Sequence, residues 1–190
     1  MTFIYRAIGI LIGMVFHEWA HGFVSYKLGD PTPKSDGRLS FNPLKHLDPI
    51  GVVMLLICGF GWAKPVQVNY RYYDNPKKGM ALTAVAGPAM NLLIAIITLF
   101  LYKHILVGST LLMTIASINV SLAVFNLIPV PPLDGSKILA VILPEDVYHK
   151  YMRIEQYGFY ILIGLMALGT FNSFLREAIG FVFTFIYNIV

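Results

Sequence analysis

The sequence predicts a polytopic α-helical membrane protein with four or five transmembrane helices and a small re-entrant, strand-containing insertion between the first two. Apolar residues make up 57% of the 190 residues, and charged residues make up only 13%, about half of their usual share in a soluble domain. The mean hydropathy is +0.69. Several apolar runs are roughly 20 residues long, which matches the ~30 Å hydrocarbon core of a bilayer.

The composition excludes several other classes of protein. The single cysteine, Cys58, rules out a disulfide framework and a cluster of thiolate metal ligands. The net charge of +4 is small and the basic residues are scattered, so nucleic-acid binding has little support. The chain is too apolar for a disordered protein and contains no low-complexity tract. A lipid bilayer is therefore the expected environment.

The apolar runs define the predicted spans. They cover residues 2–26, 80–102, 110–129 and 157–190. The last region is long enough for two short spans or for one bent span. We expect two spans, split near Phe171-Asn172-Ser173, because turn-forming residues gather there.

The insertion between the first two spans has a different composition, since residues 27–79 are rich in Pro, Gly, Asn and Asp. Its one apolar run, Ile50–Trp62, has 13 residues, too few to cross a bilayer, which predicts a re-entrant or interfacial segment. Apolar and polar residues alternate over residues 65–72, which predicts a strand, and residues 38–41 are a weaker candidate for its partner.

The basic residues predict the orientation of the chain. With residues 27–79 and 135–156 on the cytoplasmic side, only three of the 14 Lys and Arg residues face the opposite side: Arg6, Lys103 and Arg176. This distribution satisfies the positive-inside rule. If residues 50–62 crossed the membrane, the bias would largely cancel.

The first span contains the pattern HExxH, formed by His17, Glu18 and His21. These polar residues, and the lack of a small-residue cleavage site, argue against a secretory signal. Side chains at positions i and i+4 lie on one helix face, so both imidazoles can bind one cation. Glu18 can then act as the base toward a water whose pKa the metal lowers toward about 7. The pattern predicts a zinc hydrolase site inside the membrane.

A catalytic zinc site needs a third protein ligand. The candidates are Asp134, His46, His104 and His149, of which His104 lies on the opposite side in the predicted topology. Asp134 follows a proline-rich segment that must end the third span, and Gly135 permits a sharp turn after it. The predicted topology brings this carboxylate to the same leaflet as the two histidines.

Several motifs together resemble the site-2 protease family of intramembrane zinc metalloproteases, in its compact bacterial and archaeal branch. They are HEWAH at residues 17–21, GRLSFNP at 37–43, GFGWAKPV at 59–66, AGPAMN at 86–91 and NLIPVPPLDG at 126–135. The resemblance covers residues 8–137. It implies one zinc ion per chain held by His17, His21 and Asp134, with Glu18 as the base. Asn126 matches the asparagine that the family places near the metal.

The resemblance also implies a domain organisation. Residues 1–190 form one membrane-embedded metalloprotease domain, with a catalytic core over residues 1–137 and C-terminal helices over 156–190. In a departure from many relatives, we expect no span before the HExxH helix and no PDZ or CBS domain. We expect a multi-pass protein of a prokaryotic cell membrane with its active site toward the cytoplasmic leaflet.

Other polar residues of the spans receive structural or supporting roles. An amide in an apolar helix needs a partner, so Asn91 is expected to form a helix–helix hydrogen bond. Asn126 is expected to orient the substrate carbonyl or to stabilise the oxyanion. Gly87-Pro88 indicates close packing and a kink. His46 and Asp48 are expected at the interface or behind the metal ligands.

The predicted function is hydrolysis of peptide bonds within or beside transmembrane segments of membrane-protein substrates. We expect residues 66–70 to pair with an unwound substrate as an edge strand. One alternative is a membrane zinc peptidase that trims juxtamembrane tails or signal-peptide remnants. Another is a non-catalytic zinc-binding membrane protein or a metal transporter, which would need ligands through both leaflets rather than at one depth.

Overall fold

A computed structural model describes residues 2–51 and 63–190 of the chain. The predicted re-entrant segment Ile50–Trp62 lies almost wholly outside these residues; its first two residues, Ile50 and Gly51, are helical. The α-helices are α1 (Thr2–Lys27), α2 (Thr32–Ser35), α3 (Pro76–His104), α4 (Thr110–Asn126), α5 (Asp134–Ile142), α6 (Glu145–Ile154), α7 (Gly158–Ala167) and α8 (Gly169–Ile189). Short 3-10 helices cover Pro43–Lys45, Tyr70–Tyr72 and Glu155–Tyr157.

Helices α1, α3 and α4 pack against one another and form the centre of the fold. Glycines on α1 permit the close approach of α4: a Cβ atom at Gly9 would lie 2.8 Å from Ile118 Cδ1, and one at Gly13 would lie 2.5 Å from Leu122 Cδ1. Small residues at such contacts are typical of helix pairs in membranes. The three-helix unit positions the predicted site residues.

The lengths of the helices agree with a membrane protein. Within the described residues, α1 and α3 are long and apolar enough to cross a bilayer, and Glu155–Ala167 with Gly169–Ile189 adds a third crossing if this bent pair is one span. Helix α4 is apolar but shorter, because it ends at Asn126 rather than at the predicted Pro129. Prolines at positions 129, 131 and 132 follow directly and prevent the helix from continuing.

Helix α3 shows how the fold divides apolar from polar contacts. Its exposed side chains are large and apolar, among them Leu82, Leu93, Ile97 and Phe100. Its buried face instead contains Asn91, which is completely buried. A helix whose exposed face is apolar and whose polar groups point inward is adapted to lipid rather than to water.

The C-terminal region forms two helices, and the break between them lies earlier than predicted; whether they are the two expected spans stays a prediction, since together they have the length and composition of one bent span. Helices α7 and α8 meet at Leu168 with a bend of 89°. Residues 171–173 instead lie in the first turns of α8, where the Asn172 side-chain amide donates to the Met166 carbonyl near the end of α7. Helix α8 then packs Ile186 into an apolar cluster that includes Leu99 and Val120.

The strand predicted over residues 65–72 is absent. Residues 65–69 have no regular secondary structure, Tyr70–Tyr72 is a 3-10 helix, and the described part of the insertion contains a single antiparallel bridge, between Leu47 and Ala63. The backbone N–H groups of this segment find carboxylates instead of a partner strand. Val66 donates to Glu18 Oε2 at 2.9 Å, and Asn69 donates to Asp30 Oδ2 at 2.7 Å.

Candidate metal centre

The two histidines of the HExxH pattern lie side by side on the buried face of α1. His17 is 8% exposed and His21 is 9% exposed. Their Nε2 atoms are 3.0 Å apart, as expected for residues separated by one helical turn. The local sequence alone therefore brings two possible metal ligands together.

Asp134 reaches the histidines from the other end of the catalytic core. The proline-rich residues 127–133 reverse the chain after α4, and Asp134 is the first residue of α5. The turn depends on Gly135, because a Cβ atom there would lie 2.2 Å from the Leu127 carbonyl oxygen. Asp134 Oδ2 lies 3.1 Å from His17 Nε2 and 3.2 Å from His21 Nε2.

Hydrogen bonds to α3 determine which nitrogen of each imidazole faces the aspartate. His17 Nδ1 lies 2.6 Å from Asn91 Oδ1, while Asn91 Nδ2 donates to the Gly13 carbonyl and to Asn119 Oδ1. His21 Nδ1 lies 2.7 Å from the Thr83 carbonyl oxygen. Because both partners of Nδ1 are acceptors, each Nδ1 carries the proton and each Nε2 has a free lone pair.

These three groups fit a metal ion. Two Nε2 lone pairs and a carboxylate oxygen, all within 3.2 Å of one another, repel unless a cation or a proton lies between them. Asp134 Oδ2 is buried and has no hydrogen-bond partner among the described residues. Ligand atoms of a tetrahedral zinc site, with bonds of ~2.0–2.1 Å, are about 3.3 Å apart, close to the separations found here.

Helix α3 contributes a residue that the sequence did not identify as part of the site. A Cβ atom at Gly87 would lie 2.4 Å from His21 Nε2 and 2.6 Å from His17 Nε2, so any side chain there would occupy the place of the metal ligands. The sequence indicated only close packing at Gly87-Pro88. A glycine within an apolar helix was the available signal for close packing. The sequence could not show that Gly87 faces the histidines of α1, because this contact depends on how the two helices pack.

Glu18 lies beside the three groups but does not join them. His17, His21 and Asp134 are the described residues whose ligand atoms can share one ion, and Glu18 Oε2 instead accepts the Val66 N–H. All four line one cavity of about 170 Å³, the other lining residues being Pro65, Val66, Val68, Tyr70, Thr83, Ala84, Asn126, Pro132 and Lys137. A carboxylate beside the ligands but outside the group is the arrangement that a general base requires.

Among the other candidate ligands, those with described side chains do not join this group. His46 is buried, and its Nε2 lies 2.7 Å from the Ser40 carbonyl oxygen. His104 Nε2 lies 2.8 Å from the Val190 carbonyl oxygen, at the opposite end of α3 from the metal-site histidines. Asp48 caps residues 49–51 by accepting the N–H groups of Ile50 and Gly51. The side chain of His149 is not described.

Asn126 lines the same cavity, at the end of α4. Its side-chain Nδ2 donates to the Leu122 carbonyl at 2.9 Å. One amide hydrogen is therefore used within the helix. The second hydrogen has no acceptor among the described residues.

The electrostatics of α5 favour charged side chains at the cavity. Burial acts to raise the pKa of the Asp134 carboxyl, but positive charge at His21 and His17, which a bound metal ion supplies when each Nε2 is unprotonated, outweighs it, and the pKa lies well below its ordinary value. Burial acts to lower the pKa of the Lys137 ammonium, but Tyr70 and Asp134 outweigh it, and the pKa lies above its ordinary value. Asp134 is therefore a carboxylate and Lys137 a cation at neutral pH.

Comparison with known proteins identifies the family. The model of peptidase family M50 matches residues 107–169. The chain is 40% identical over 173 residues to "Putative zinc metalloprotease YwhC" of Bacillus subtilis, a match that covers 85% of this chain and 79% of that protein.

More distant relatives bear similar names. The chain is 28% identical over 194 residues to "Putative zinc metalloprotease Rip2" of Mycolicibacterium smegmatis, with 97% of this chain and 74% of that protein covered. It is 28% identical over 149 residues to "Zinc metalloprotease MJ0392" of Methanocaldococcus jannaschii, with 76% and 36% covered. No solved structure matches the chain at a significant level. The chain belongs to peptidase family M50, the site-2 protease family that its motifs resemble.

Proposed function

We propose that the protein is a zinc-dependent intramembrane endopeptidase that hydrolyses peptide bonds within or beside transmembrane segments of membrane-protein substrates. The observation that carries this proposal is the convergence of His17, His21 and Asp134 beside Glu18 in one cavity. Three of these four residues belong to α1, a helix long and apolar enough to cross a bilayer. Membership of peptidase family M50 supports the same reaction class.

One zinc ion per chain would be held by His17, His21 and Asp134. Two imidazoles and a carboxylate, with a fourth position left open, form a ligand set typical of catalytic zinc. When bound, zinc polarises the substrate carbonyl and lowers the pKa of water toward neutrality. Asn91 and Thr83 support this set by holding the Nδ1 protons of the two histidines.

Glu18 is the proposed base and Asn126 the proposed carbonyl-binding residue. Glu18 takes a proton from the attacking water as the new C–O bond forms, and it delivers this proton to the amide nitrogen as the C–N bond breaks. The second amide hydrogen of Asn126 binds the carbonyl oxygen, where negative charge develops. The products are a carboxyl and an amine terminus.

The membrane environment defines the proposed substrate and orientation. The distribution of Lys and Arg favours a site toward the cytoplasmic leaflet of a prokaryotic cell membrane, from which water would enter. The substrate is a transmembrane protein or peptide that unwinds locally, since helical hydrogen bonds otherwise cover its carbonyl groups. The bilayer itself is the second partner.

The test compares the purified wild type with Glu18→Gln and Asp134→Ala, reconstituted in liposomes. Glu18→Gln is expected to retain one zinc ion per chain and to lose at least ~10³-fold of the cleavage rate, because the variant keeps the ligands and loses the base. Asp134→Ala is expected to lose both zinc and activity. Zinc content is measured by mass spectrometry, and cleavage with a model transmembrane substrate.

The outcomes separate the proposal from its alternatives. Cleavage of exposed tail peptides without cleavage of transmembrane substrates would favour a tail-trimming peptidase. Full zinc occupancy without hydrolysis of either substrate would favour a non-catalytic zinc protein. Stoichiometric zinc in Asp134→Ala would remove Asp134 from the ligand set.

A further inference from the structure

Lys137 is a cation in the active-site cavity to which the proposed chemistry assigns no role. It lies in α5 three residues after Asp134, so both side chains are on one face of the helix, and both line the cavity with Glu18. A positive charge so near a divalent cation weakens metal binding by repulsion. Its presence therefore requires a benefit other than holding the metal.

Tyr70 lines the same cavity as Lys137, and its side chain interacts with the ammonium strongly enough to help offset the effect of burial on the Lys137 pKa. Tyr70 is itself held by its neighbours. The Asn69 N–H donates to the buried carboxylate of Asp30, and the Tyr70 ring contacts the Tyr73 ring at a centroid distance of 5.7 Å. Two parts of the chain therefore surround the Lys137 ammonium: its own helix α5 and residues 69–73, which include Tyr70.

The hydrogen-bond capacity of Lys137 exceeds what its described neighbours use. An ammonium has three donors, and the interaction with Tyr70 can use at most one of them. By contrast, Asn126 has committed one of its two amide hydrogens to the Leu122 carbonyl. Lys137 therefore offers the stronger and less committed donor for an oxygen that becomes negative in the cavity.

We propose that the Lys137 ammonium binds the carbonyl oxygen of the scissile peptide and stabilises the negative charge that develops there, with Tyr70 as its positioning residue. The inference rests on the proposed peptidase function. As water adds to the carbonyl carbon, the π-electron pair moves to the oxygen, which accepts a charge-assisted hydrogen bond from Nζ. The pair returns when the C–N bond breaks and the amine leaves with the proton from Glu18.

The test measures kcat, KM and zinc content for Lys137→Met, Lys137→Arg and Tyr70→Phe in reconstituted full-length protein. Lys137→Met is expected to lower kcat by roughly 10²–10³-fold, as for the loss of an oxyanion donor, with KM changed less than about threefold. Lys137→Arg restores part of kcat because it keeps the charge and the donors. Tyr70→Phe lowers kcat by a smaller factor, on the order of tenfold.

Two controls keep the result specific. Lys150→Met removes an exposed lysine on α6, outside the residues that line the cavity, and is expected to keep wild-type kcat. Lys137→Met is expected to keep full zinc occupancy and the thermal unfolding temperature of the wild type. Its zinc affinity should be equal or higher, because a repulsive charge has been removed.

Three results would overturn the inference. If Lys137→Met raises KM at unchanged kcat, the lysine binds a ground-state group such as a carboxylate. If it loses zinc or stability in proportion to activity, its role is structural. If kcat is unchanged, the lysine plays no part. In each case an active wild type leaves the peptidase function standing, whereas a zinc-loaded wild type that cleaves no peptide contradicts both proposals.

Discussion

Two cavities formed by the described residues lie at opposite ends of the same helices, and the smaller one has the features of an active site. The cavity of about 170 Å³ contains the HExxH residues of α1. The other, of about 480 Å³, is lined by Arg6 near the start of α1, Tyr102 near the end of α3 and hydroxyl residues of α4. Cavity volume therefore does not identify the site in this protein.

The difference lies in where the polar groups find their hydrogen bonds. In the larger cavity the hydroxyls of Thr114 and Ser117 donate to carbonyls of their own helix, at 2.7 and 2.8 Å. Such bonds satisfy a polar side chain locally, without any ligand. In the smaller cavity, the two Nε2 lone pairs and Asp134 Oδ2 have only one another. Chemistry is expected where polar atoms converge without internal partners.

The strongest test of this difference between the cavities is a substitution that fills the space between the histidines and α3. Gly87→Ala places a methyl group 2.4 Å from His21 Nε2, and the backbone of α3 fixes its position, so that it cannot rotate away. We expect loss of bound zinc and at least ~10³-fold lower cleavage. Zinc content and cleavage are measured with Gly164→Ala as the control, because a Cβ atom at Gly164 meets nothing within 4 Å.

Retention of zinc in Gly87→Ala would show that α1 or α3 shifts by more than an ångström at little cost. The positions of the three ligand atoms would then depend less on the packing of α1 against α3 than the structure indicates.

A smaller effect is expected behind the metal ligands. Asn91→Ala removes the acceptor for His17 Nδ1, and the freed imidazole can adopt the other tautomer or rotate. We expect zinc affinity to fall by about 10–100-fold. Competition with a chelating dye measures this change.

Asn119→Ala is the matched control, since Asn119 contacts the Asn91 amide but neither imidazole. Its effect should be smaller than that of Asn91→Ala. Equal losses of zinc affinity would mean that the amide network acts through packing of α3 on α4 rather than through the histidine tautomer.

The smallest effect is expected at the larger cavity. Removing both hydroxyls with Thr114→Val and Ser117→Ala leaves the helix hydrogen bonds intact, because the side chains share carbonyls that the backbone already uses. Zinc content and cleavage rate should stay within about twofold of the wild type. A tenfold loss in either would assign the larger cavity a part in the reaction.

The failed strand prediction illustrates a limit of pattern reasoning. Alternation over residues 65–72 predicted an edge strand, but the N–H groups of Val66 and Asn69 donate to the carboxylates of Glu18 and Asp30, 48 and 39 residues away. An alternation of apolar and polar residues indicates which side chains face inward. It does not indicate which group accepts the hydrogen bond of each backbone N–H. Pairing of residues 66–70 with an extended substrate therefore stays a prediction. The described part of this segment contains no strand.

The sequence by itself determined the features that depend on local spacing and solvent. Long apolar runs specify helices adapted to lipid, and the i, i+4 spacing of His17 and His21 places two imidazoles on one face of α1. Prolines after Asn126 ensure that α4 ends in this region, although its last residue lies three positions before the predicted Pro129. These properties depend on residues within a few turns of one another, so the sequence is sufficient to predict them.

Only the tertiary structure decided which distant groups meet. It brought Asp134, which the family resemblance implied as the third ligand, within 3.2 Å of both histidines. It also showed that Asn91 accepts from His17 Nδ1, that Gly87 packs against both imidazoles, and that Tyr70 and Lys137 line the same cavity. The physical reason is that helix packing brings together residues more than 60 positions apart, and the contacts that result depend on rotation and depth of whole helices, which no local pattern contains.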